Sequence, residues 1–255
     1  MIKLKLSKSK ILANVRLKKN IFLLQVSVGI PDYDFIPGQF FNIKVSDGNY
    51  PFLRRPFSIC DYTNGILTFM IDVNGEGTHL LSLKKSGEEL DLLGPLGNGF
   101  EIEGNYEDAI FIGGGIGVAP FPYLTRKMGK SKNIISFIGG RSSEDLISYN
   151  LDNVNQATDD GSIGYKGNVV ECFIDYEKRS SLTNYRIFAC GPTPMLKSIR
   201  EFAIKNNVEC QISTESSMAC GFGLCQGCAI EKSDSSGYSL ICKDGPVYNS
   251  KEVLL

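Results

Sequence analysis

The chain has 255 residues, of which 42% are apolar and 22% charged, as is ordinary for a globular protein of two domains and a small appendage. Its net charge of −1 argues against a nucleic-acid or anionic-lipid partner, because such partners select strongly basic surfaces. No apolar run approaches the roughly 20 residues of a membrane-spanning helix, and residues 1–6 alternate like a strand rather than forming a signal peptide. We therefore expect a cytoplasmic protein.

Residues 1–102 are rich in short apolar runs that alternate with turn dipeptides. The runs include 15–28, 40–45, 57–59 and 66–71. Glycine, proline, asparagine and aspartate separate them, at Pro37-Gly38, Asp47-Gly48 and Asn64-Gly65. Many short strands with such turns predict a closed antiparallel barrel, with one helix beginning near Gly77.

Residues 103–211 change to alternating strands and helices. Strands are predicted at 109–112, 134–138 and 186–190, and helices are expected to end near Met128 and to run from about Pro194 to Lys205. This βαβ pattern is typical of a doubly wound parallel sheet. The fold class is therefore multidomain, with a β-barrel followed by an α/β domain.

Residues 212–255 are glycine-rich and contain four of the eight cysteines. These four, Cys220, Cys225, Cys228 and Cys242, follow the spacing C-x4-C-x2-C-x13-C. This spacing is that of plant-type [2Fe–2S] sites, and the intervening glycines let a loop wrap around a cluster. A zinc site is the alternative, but zinc sites more often use two separate C-x2-C pairs. The remaining cysteines, at 60, 172, 190 and 210, are expected to be small buried apolar residues.

Two segments of the barrel carry groups that a flavin dinucleotide needs. Arg55 would supply charge for the pyrophosphate, Ser58 a hydroxyl near the ring, and Gly77-Thr78 backbone donors at the start of a helix. By itself the tetrapeptide Arg55-Pro56-Phe57-Ser58 is equally compatible with a surface arginine that precedes an edge proline.

Two glycine-containing segments of the second domain each follow a strand and precede a helix. They are the run 113–120 and Cys190-Gly191-Pro192-Thr193-Pro194-Met195. Glycines let the backbone approach a pyrophosphate, and both segments would lie at the carboxyl edge of the sheet, where such folds bind ligands. The usual G-x-G-x-x-G fingerprint is absent from the run 113–120.

The motifs R-P-x-S, G-x-G-T, G-G-G-x-G-x-A-P and C-G-P-x-P-M together resemble the ferredoxin–NADP reductase superfamily. The resemblance implies FAD binding by a barrel and NAD(P) binding by the following domain. The implied FAD contacts are Arg55, Pro56, Phe57, Ser58, Met70, Ile71, Asp72, Gly77 and Thr78. The implied nicotinamide-dinucleotide contacts are Gly113, Gly114, Gly115, Gly117, Cys190, Gly191 and Pro192.

Four side chains in or near these segments modify the expectation. Asp72 stands where relatives often have a basic residue, and an acid beside a pyrophosphate would repel it, so we expect Asp72 to turn away. His79 is expected to be an exposed helix residue. Glu144 and Asp145 follow Arg141 and would oppose a 2′-phosphate, which favours NAD over NADP.

Three further motifs, at 94–100, 158–162 and 242–247, accompany the segment 190–195. Together the four resemble one family along nearly the whole chain, the electron-transfer subunits of B-type dihydroorotate dehydrogenase. The resemblance implies electron transfer between NAD and dihydroorotate, through FAD, the cluster and an FMN-containing catalytic subunit, in a heterotetramer of two plus two subunits. This chain itself shows no acid–base or nucleophile constellation for a substrate.

Two other functions stay open from the residues alone. Subunits of sulfide dehydrogenase or of ferredoxin-dependent NAD(P) transhydrogenase share the same three modules. A binding module stapled by zinc and without redox function is the other alternative, which the absence of flavin and iron colour would reveal.

Overall fold

The structure, a computed structural model, describes residues 5–28, 33–48 and 50–255. Six antiparallel strands in the order β1-β2-β5-β4-β3-β6 close into the predicted barrel. The strands are β1 (Lys5–Arg16), β2 (Ile21–Ser27), β3 (Phe40–Lys44), β4 (Arg55–Thr63), β5 (Ile66–Asp72) and β6 (Glu89–Leu96). Of the strand expected over residues 1–6, residues 1–4 lie outside the described part of the chain. Helix α1 (Glu76–Ser82) begins where a helix was predicted and follows β5.

Alternation along the strands decides which barrel residues face inward. Phe41 and Ile43 of β3 and Ile71 of β5 belong to the core of the barrel. The neighbouring Phe40 and Met70 instead pack into the cores of the second domain. The outer face of the barrel at β3 and β5 is therefore turned toward that domain.

A seven-stranded sheet in the order β10-β9-β8-β7-β11-β12-β15 forms the second domain. Its strands are β7 (Asp108–Gly114), β8 (Asn133–Gly140), β9 (Val154–Thr158), β10 (Tyr165–Lys166), β11 (Tyr185–Cys190), β12 (Glu209–Ser213) and β15 (Val247–Asn249). All neighbouring pairs are parallel except β12 with β15. The predicted doubly wound parallel sheet is confirmed, with one antiparallel strand at its edge.

Three helices accompany this sheet. They are α2 (Phe121–Met128), α3 (Val169–Arg179) and α4 (Thr193–Asn206). The sequence pattern indicated α2 and α4 but not α3. Asn168 caps α3 by accepting hydrogen bonds from the backbone of Val170 and Glu171. Among the described helices, none is long and apolar enough to cross a membrane.

The cysteine-rich tail is attached to both domains. Its hairpin consists of β13 (Ala229–Glu231) and β14 (Tyr238–Leu240), and β15 then joins the sheet beside β12. An isolated bridge also pairs Asn98, just after the barrel, with Pro246. The division of the chain at residue 212 stays a prediction, because the tail shares hydrogen bonds and core with its neighbours.

Helix α2 fixes the barrel against the sheet. The hydroxyl of Tyr123, 1% exposed, donates to the backbone carbonyl of Phe35 at 2.8 Å. One turn later Arg126 donates to the Asp61 carboxylate through Nε at 2.9 Å and also contacts the carbonyl of Tyr62. A buried hydroxyl bond and an ion pair thus hold the same helix to two segments of the barrel.

We expect Tyr123→Phe to destabilise the protein, because it leaves the buried carbonyl of Phe35 without its donor. The expected loss in the free energy of unfolding is about 1–3 kcal/mol. Chemical denaturation followed by fluorescence measures it. The matched control is Tyr238→Phe, at a tyrosine that is 71% exposed, and an equal effect of the two substitutions would contradict a specific role for the Tyr123 hydroxyl.

Candidate functional site

A cleft of about 650 Å³ lies between the barrel and the carboxyl edge of the sheet. Predicted dinucleotide residues that line it are Gly114, Gly115 and Pro192. Gly113 lies beneath them, where a Cβ would come within 2.6 Å of Val118, and is part of the supporting turn. The two predicted glycine segments therefore meet at one cleft, as their positions after parallel strands require.

Their meeting depends on glycine. Pairing of β7 with β11 places Gly113 opposite Cys190. A Cβ on Gly117 would lie 2.4 Å from the carbonyl oxygen of Cys190, and one on Gly191 would lie 2.9 Å from the backbone nitrogen of Gly114. Any side chain at either position would push the two segments apart. Their close contact leaves the backbone of Gly114 and Gly115 open toward the cleft.

The cleft mixes acidic and basic side chains. Acids on its lining are Asp72 from the barrel and Glu144, Asp145 and Asp159 from the sheet domain, and bases are Lys18, Lys19 and Arg141. Burial raises the pKa of Asp72, and the nearby Asp145 carboxylate raises it further. Contrary to the expectation that it turns away, Asp72 faces the cleft. The carboxylates on this lining disfavour an additional phosphate beside them.

A second, smaller cleft of about 220 Å³ adjoins the first. Of the predicted flavin contacts, six line it: Pro56, Phe57, Ser58, Met70, Asp72 and Thr78. Asp72 and Ile116 line both clefts, so the two are adjacent. Gly117 and Cys190, predicted for the nicotinamide, also line this second cleft. The structure thus brings the predicted flavin and nicotinamide residues together.

The other predicted flavin contacts lie around this cleft rather than on its wall. A Cβ on Gly77 would lie 3.3 Å from Nε of Arg55, so the guanidinium is beside the first turn of α1. Arg55 also donates to the carbonyl of Leu53 at 2.7 Å. Ile71 is fully buried in the barrel core. The pairing of Arg55 with a helix start suits a pyrophosphate.

Cys190 is 2% exposed at the wall of the second cleft. Burial raises the pKa of its thiol, and the carboxylate of Glu215 raises it further. The thiol is therefore protonated at neutral pH and behaves as an apolar wall group. Cys60, Cys172 and Cys210 are also buried, which confirms the expectation for the isolated cysteines.

The four clustered cysteines form two pairs, in which three cysteines come from the loop 220–228 and Cys242 comes from the turn after β14. The backbone N–H of Cys225 donates to Sγ of Cys220, and that of Cys242 donates to Sγ of Cys228, each at 3.4 Å. Gly223 N–H donates to Sγ of Cys242 at 3.1 Å. Gly221, Gly223 and Gln226 have positive φ, which turns the loop around the sulfurs. Backbone donors aimed at sulfur are what an iron–sulfur loop requires.

The two pairs differ in exposure. Cys228 and Cys242 are 3% and 2% exposed and pack into the core beside Ile241, whereas Cys225 is exposed. Burial raises the pKa of Cys220, but the backbone donors of Cys225 and Phe222 outweigh it and lower that pKa to about 6. Within the described residues, no three histidine, cysteine, aspartate or glutamate side chains converge on a single ion position. Two pairs of thiols fit two irons better than one zinc ion.

Comparison with known proteins agrees with this geometry. Residues 215–254 match the family described as the iron–sulfur cluster binding domain of dihydroorotate dehydrogenase B. The chain is 40% identical to the dihydroorotate dehydrogenase B (NAD+) electron transfer subunit of Caldanaerobacter subterraneus, covering 86% of this chain and 87% of that one. It is 33% identical to the corresponding subunit of Fusobacterium nucleatum, covering 94% and 95%.

The chain belongs to the family of dihydroorotate dehydrogenase B electron transfer subunits. Among solved structures, it superposes on an NADH-dependent reduced ferredoxin–NADP oxidoreductase with a TM-score of 0.83 and 30% identity. That match covers 96% of this chain and 89% of the other. The sequence-based family assignment is therefore confirmed.

Sequence reasoning missed several lining residues. Lys18 and Lys19 come from the β1–β2 turn, and the pairing of Ile21 with Asp72 brings that turn to the first cleft. Thr214, Glu215 and Met218 line the second cleft from the segment that leads into the cysteine loop. No local motif marks these residues, since strand register and the path of the tail place them.

We expect Arg55→Ala to lower the flavin content of the purified protein, because Arg55 presents a fixed charge beside the start of α1. A charge-assisted hydrogen bond contributes about 1.5–3 kcal/mol, roughly tenfold or more in affinity. Absorbance of released FAD per chain measures the effect. His79→Ala is the control, since His79 is exposed on the same helix, and equal flavin retention in both variants would refute the role of Arg55.

Proposed function

We propose that this chain exchanges electrons between NAD+ and a separate catalytic subunit that carries FMN and oxidises dihydroorotate to orotate. The observation that carries the proposal is the closeness of the three sites to one another. The first cleft shares Asp72 and Ile116 with the second, and Met218 on the second precedes Cys220 by two residues. A span of two residues is at most about 7 Å of extended chain.

The protein's own residues would hold three cofactors in this order. The wall of the first cleft would bind NAD through the backbone of Gly114 and Gly115. The wall of the second would bind the flavin ring of FAD between Ser58 and Cys190, with Arg55 on the pyrophosphate. When bound, FAD exchanges electrons either singly or in pairs, and the cluster singly, which lets a hydride donor communicate with a one-electron carrier.

A catalytic partner subunit is implied by the family to which the chain belongs. The exposed side of the cysteine loop supports an approach of that partner there, because Phe222 is 43% and Leu224 76% exposed beside the exposed Cys225. We propose a heterotetramer of two catalytic and two electron transfer subunits. All eight cysteines are free, in accord with a cytoplasmic, reducing location.

A second function is favoured by one specific observation. The match to a ferredoxin–NADP oxidoreductase structure spans nearly the whole chain, so a subunit of a transhydrogenase or sulfide dehydrogenase is the alternative. The identity of the co-purifying subunit separates the two. A subunit that binds FMN and dihydroorotate supports the first function, and a partner with its own iron–sulfur clusters supports the second.

We expect anaerobically purified protein to contain about one FAD and about two irons per chain, because four thiolates in two pairs hold a two-iron cluster. Elemental analysis and flavin absorbance on one sample measure both. Stoichiometric zinc with no iron would contradict the prediction of an iron–sulfur cluster and would favour the alternative of a zinc-stapled binding module.

We expect Cys225→Ser to abolish partner-linked turnover while NADH oxidation by a soluble dye stays near the wild-type rate. Serine is a poorer iron ligand than cysteine, whereas the clefts for NAD and FAD are lined largely by residues before the cysteine loop. Both rates are measured on one preparation. Complex formation is checked by gel filtration, because a tail without its cluster would also bind the partner subunit less well.

The control is Cys172→Ser, at a buried cysteine on α3, which should leave both rates near those of the wild type. Wild-type partner-linked turnover in Cys225→Ser would show that the cluster is not the conduit. Loss of dye reduction while FAD stays bound would show that the two halves do not work independently.

A further inference from the structure

Asn42 on β3 is a buried amide without a hydrogen-bond partner. It is 1% exposed, and neither Oδ1 nor Nδ2 of its side chain finds a partner among the described residues. Nearly all buried side-chain polar atoms in proteins are hydrogen-bonded, so an amide with both atoms unpaired calls for an explanation. An apolar residue of similar shape at this position would avoid the cost of burying the amide.

The position of Asn42 on the outer face of the barrel excludes a role in the barrel core. Its neighbours on β3, Phe41 and Ile43, face the interior, so the side chain of Asn42 faces outward like that of Phe40. Arg54 is close, but its guanidinium donates to the backbone carbonyls of Asn42 and Asp91 and pairs with the Asp91 carboxylate. The amide is therefore not used to bind this ion pair.

The side chain points at the cysteine loop. A Cβ on Gly221 would lie only 1.8 Å from Nδ2 of Asn42 and 3.5 Å from Cδ1 of Leu96. Gly221 has a φ of +81° and directly follows Cys220. The loop comes so near to the amide only because residue 221 is glycine. The barrel thus presents an amide NH2 group without an acceptor to the loop at the Cys220 side.

We infer that Asn42 Nδ2 donates a hydrogen bond to a sulfur of the [2Fe–2S] cluster on the Cys220 side and thereby sets its reduction potential. The inference rests on the proposed function, because it requires that the cluster be bound. The loop already directs backbone donors of Gly223, Cys225 and Cys242 at cysteine sulfurs. Asn42 adds a donor from a different domain, the barrel that binds the flavin.

The direction of the effect follows from charge. Reduction adds one negative charge to the cluster, and an N–H donor stabilises the more negative state more strongly. Removing the donor therefore makes reduction harder. Because the donor is buried and shielded from water, the interaction is stronger than a comparable one at the surface.

The test compares Asn42→Leu with Ser136→Ala. Leucine has the shape of asparagine without its donor, and the Ser136 hydroxyl is another buried, unpaired polar group, located in β8 of the sheet. Potentiometric titration of holoprotein, followed by the electron paramagnetic resonance of the reduced cluster, gives the potential. In Asn42→Leu we expect the reduction equilibrium to fall about tenfold, which is about 59 mV for one electron, and in Ser136→Ala no change. An unchanged potential in Asn42→Leu, or equal shifts in both variants, would overturn the inference.

A second measurement needs no stable variant at residue 42. Wild-type protein labelled with 15N only in asparagine side chains should show a nitrogen hyperfine coupling to the reduced cluster. The control is Asn98→Ser, which removes another asparagine amide of the same region, one that donates to the carbonyl of Asp244 at 2.8 Å. The coupling should remain in this variant. Absence of coupling in the wild type, or its loss in Asn98→Ser, would refute the role of Asn42. Absence of the cluster signal together with absence of iron would instead refute the proposed function.

Discussion

Both clefts exist because the outer face of the barrel is held at a fixed position against the sheet. The hold consists of buried apolar contacts, in which Leu23, Cys60 and Met70 of the barrel share one core with Phe121 and Leu124 of α2. On the same helix, the hydrogen bonds of Tyr123 and Arg126 fix the orientation of the barrel relative to the sheet. Apolar contact supplies most of the association free energy, whereas the buried hydroxyl and the ion pair define a single orientation. A shift of this helix would change the width of both clefts.

Close backbone contact is the second constraint. At Gly117 and Gly191 any Cβ would collide with the neighbouring turn, and at Gly221 it would collide with Asn42. These glycines bring the nicotinamide segments to each other and the cysteine loop to the barrel. Each glycine lowers the stability of the fold, because glycine loses more conformational entropy on folding than other residues do. In return, these glycines allow the three sites to lie next to one another.

The two cysteine pairs differ in exposure, so the cluster site has a buried side and an exposed side. Cys228 and Cys242 share a core with Phe40 and Leu96, which belong to the barrel, whereas Cys225 is exposed. A carrier held in this way touches the protein interior with one half and the surface with the other. The electrostatics of the first cleft are mixed, because Asp72 and Asp145 line the same space as Lys18 and Lys19. The carboxylates discourage an additional phosphate, and the lysines supply the positive charge that a pyrophosphate needs.

The amino-acid sequence by itself determined the barrel, the parallel sheet and the family. Their signals are local: turn dipeptides, apolar periodicity, and cysteine and glycine spacings within a few dozen residues. Of the 16 flavin and nicotinamide contacts that it predicted, 11 line one of the two clefts. Helix α3 was missed although Asn168 and Glu171 form a capping box at its start. The edge strand β15 was missed because it has only three residues and is defined by its pairing with β12. Only the tertiary structure decided that Asp72 faces the cleft, that Lys18 and Lys19 join it, and that Asn42 lies under Gly221. Each of these depends on strand register or on contact between residues far apart in the chain, which local patterns do not encode.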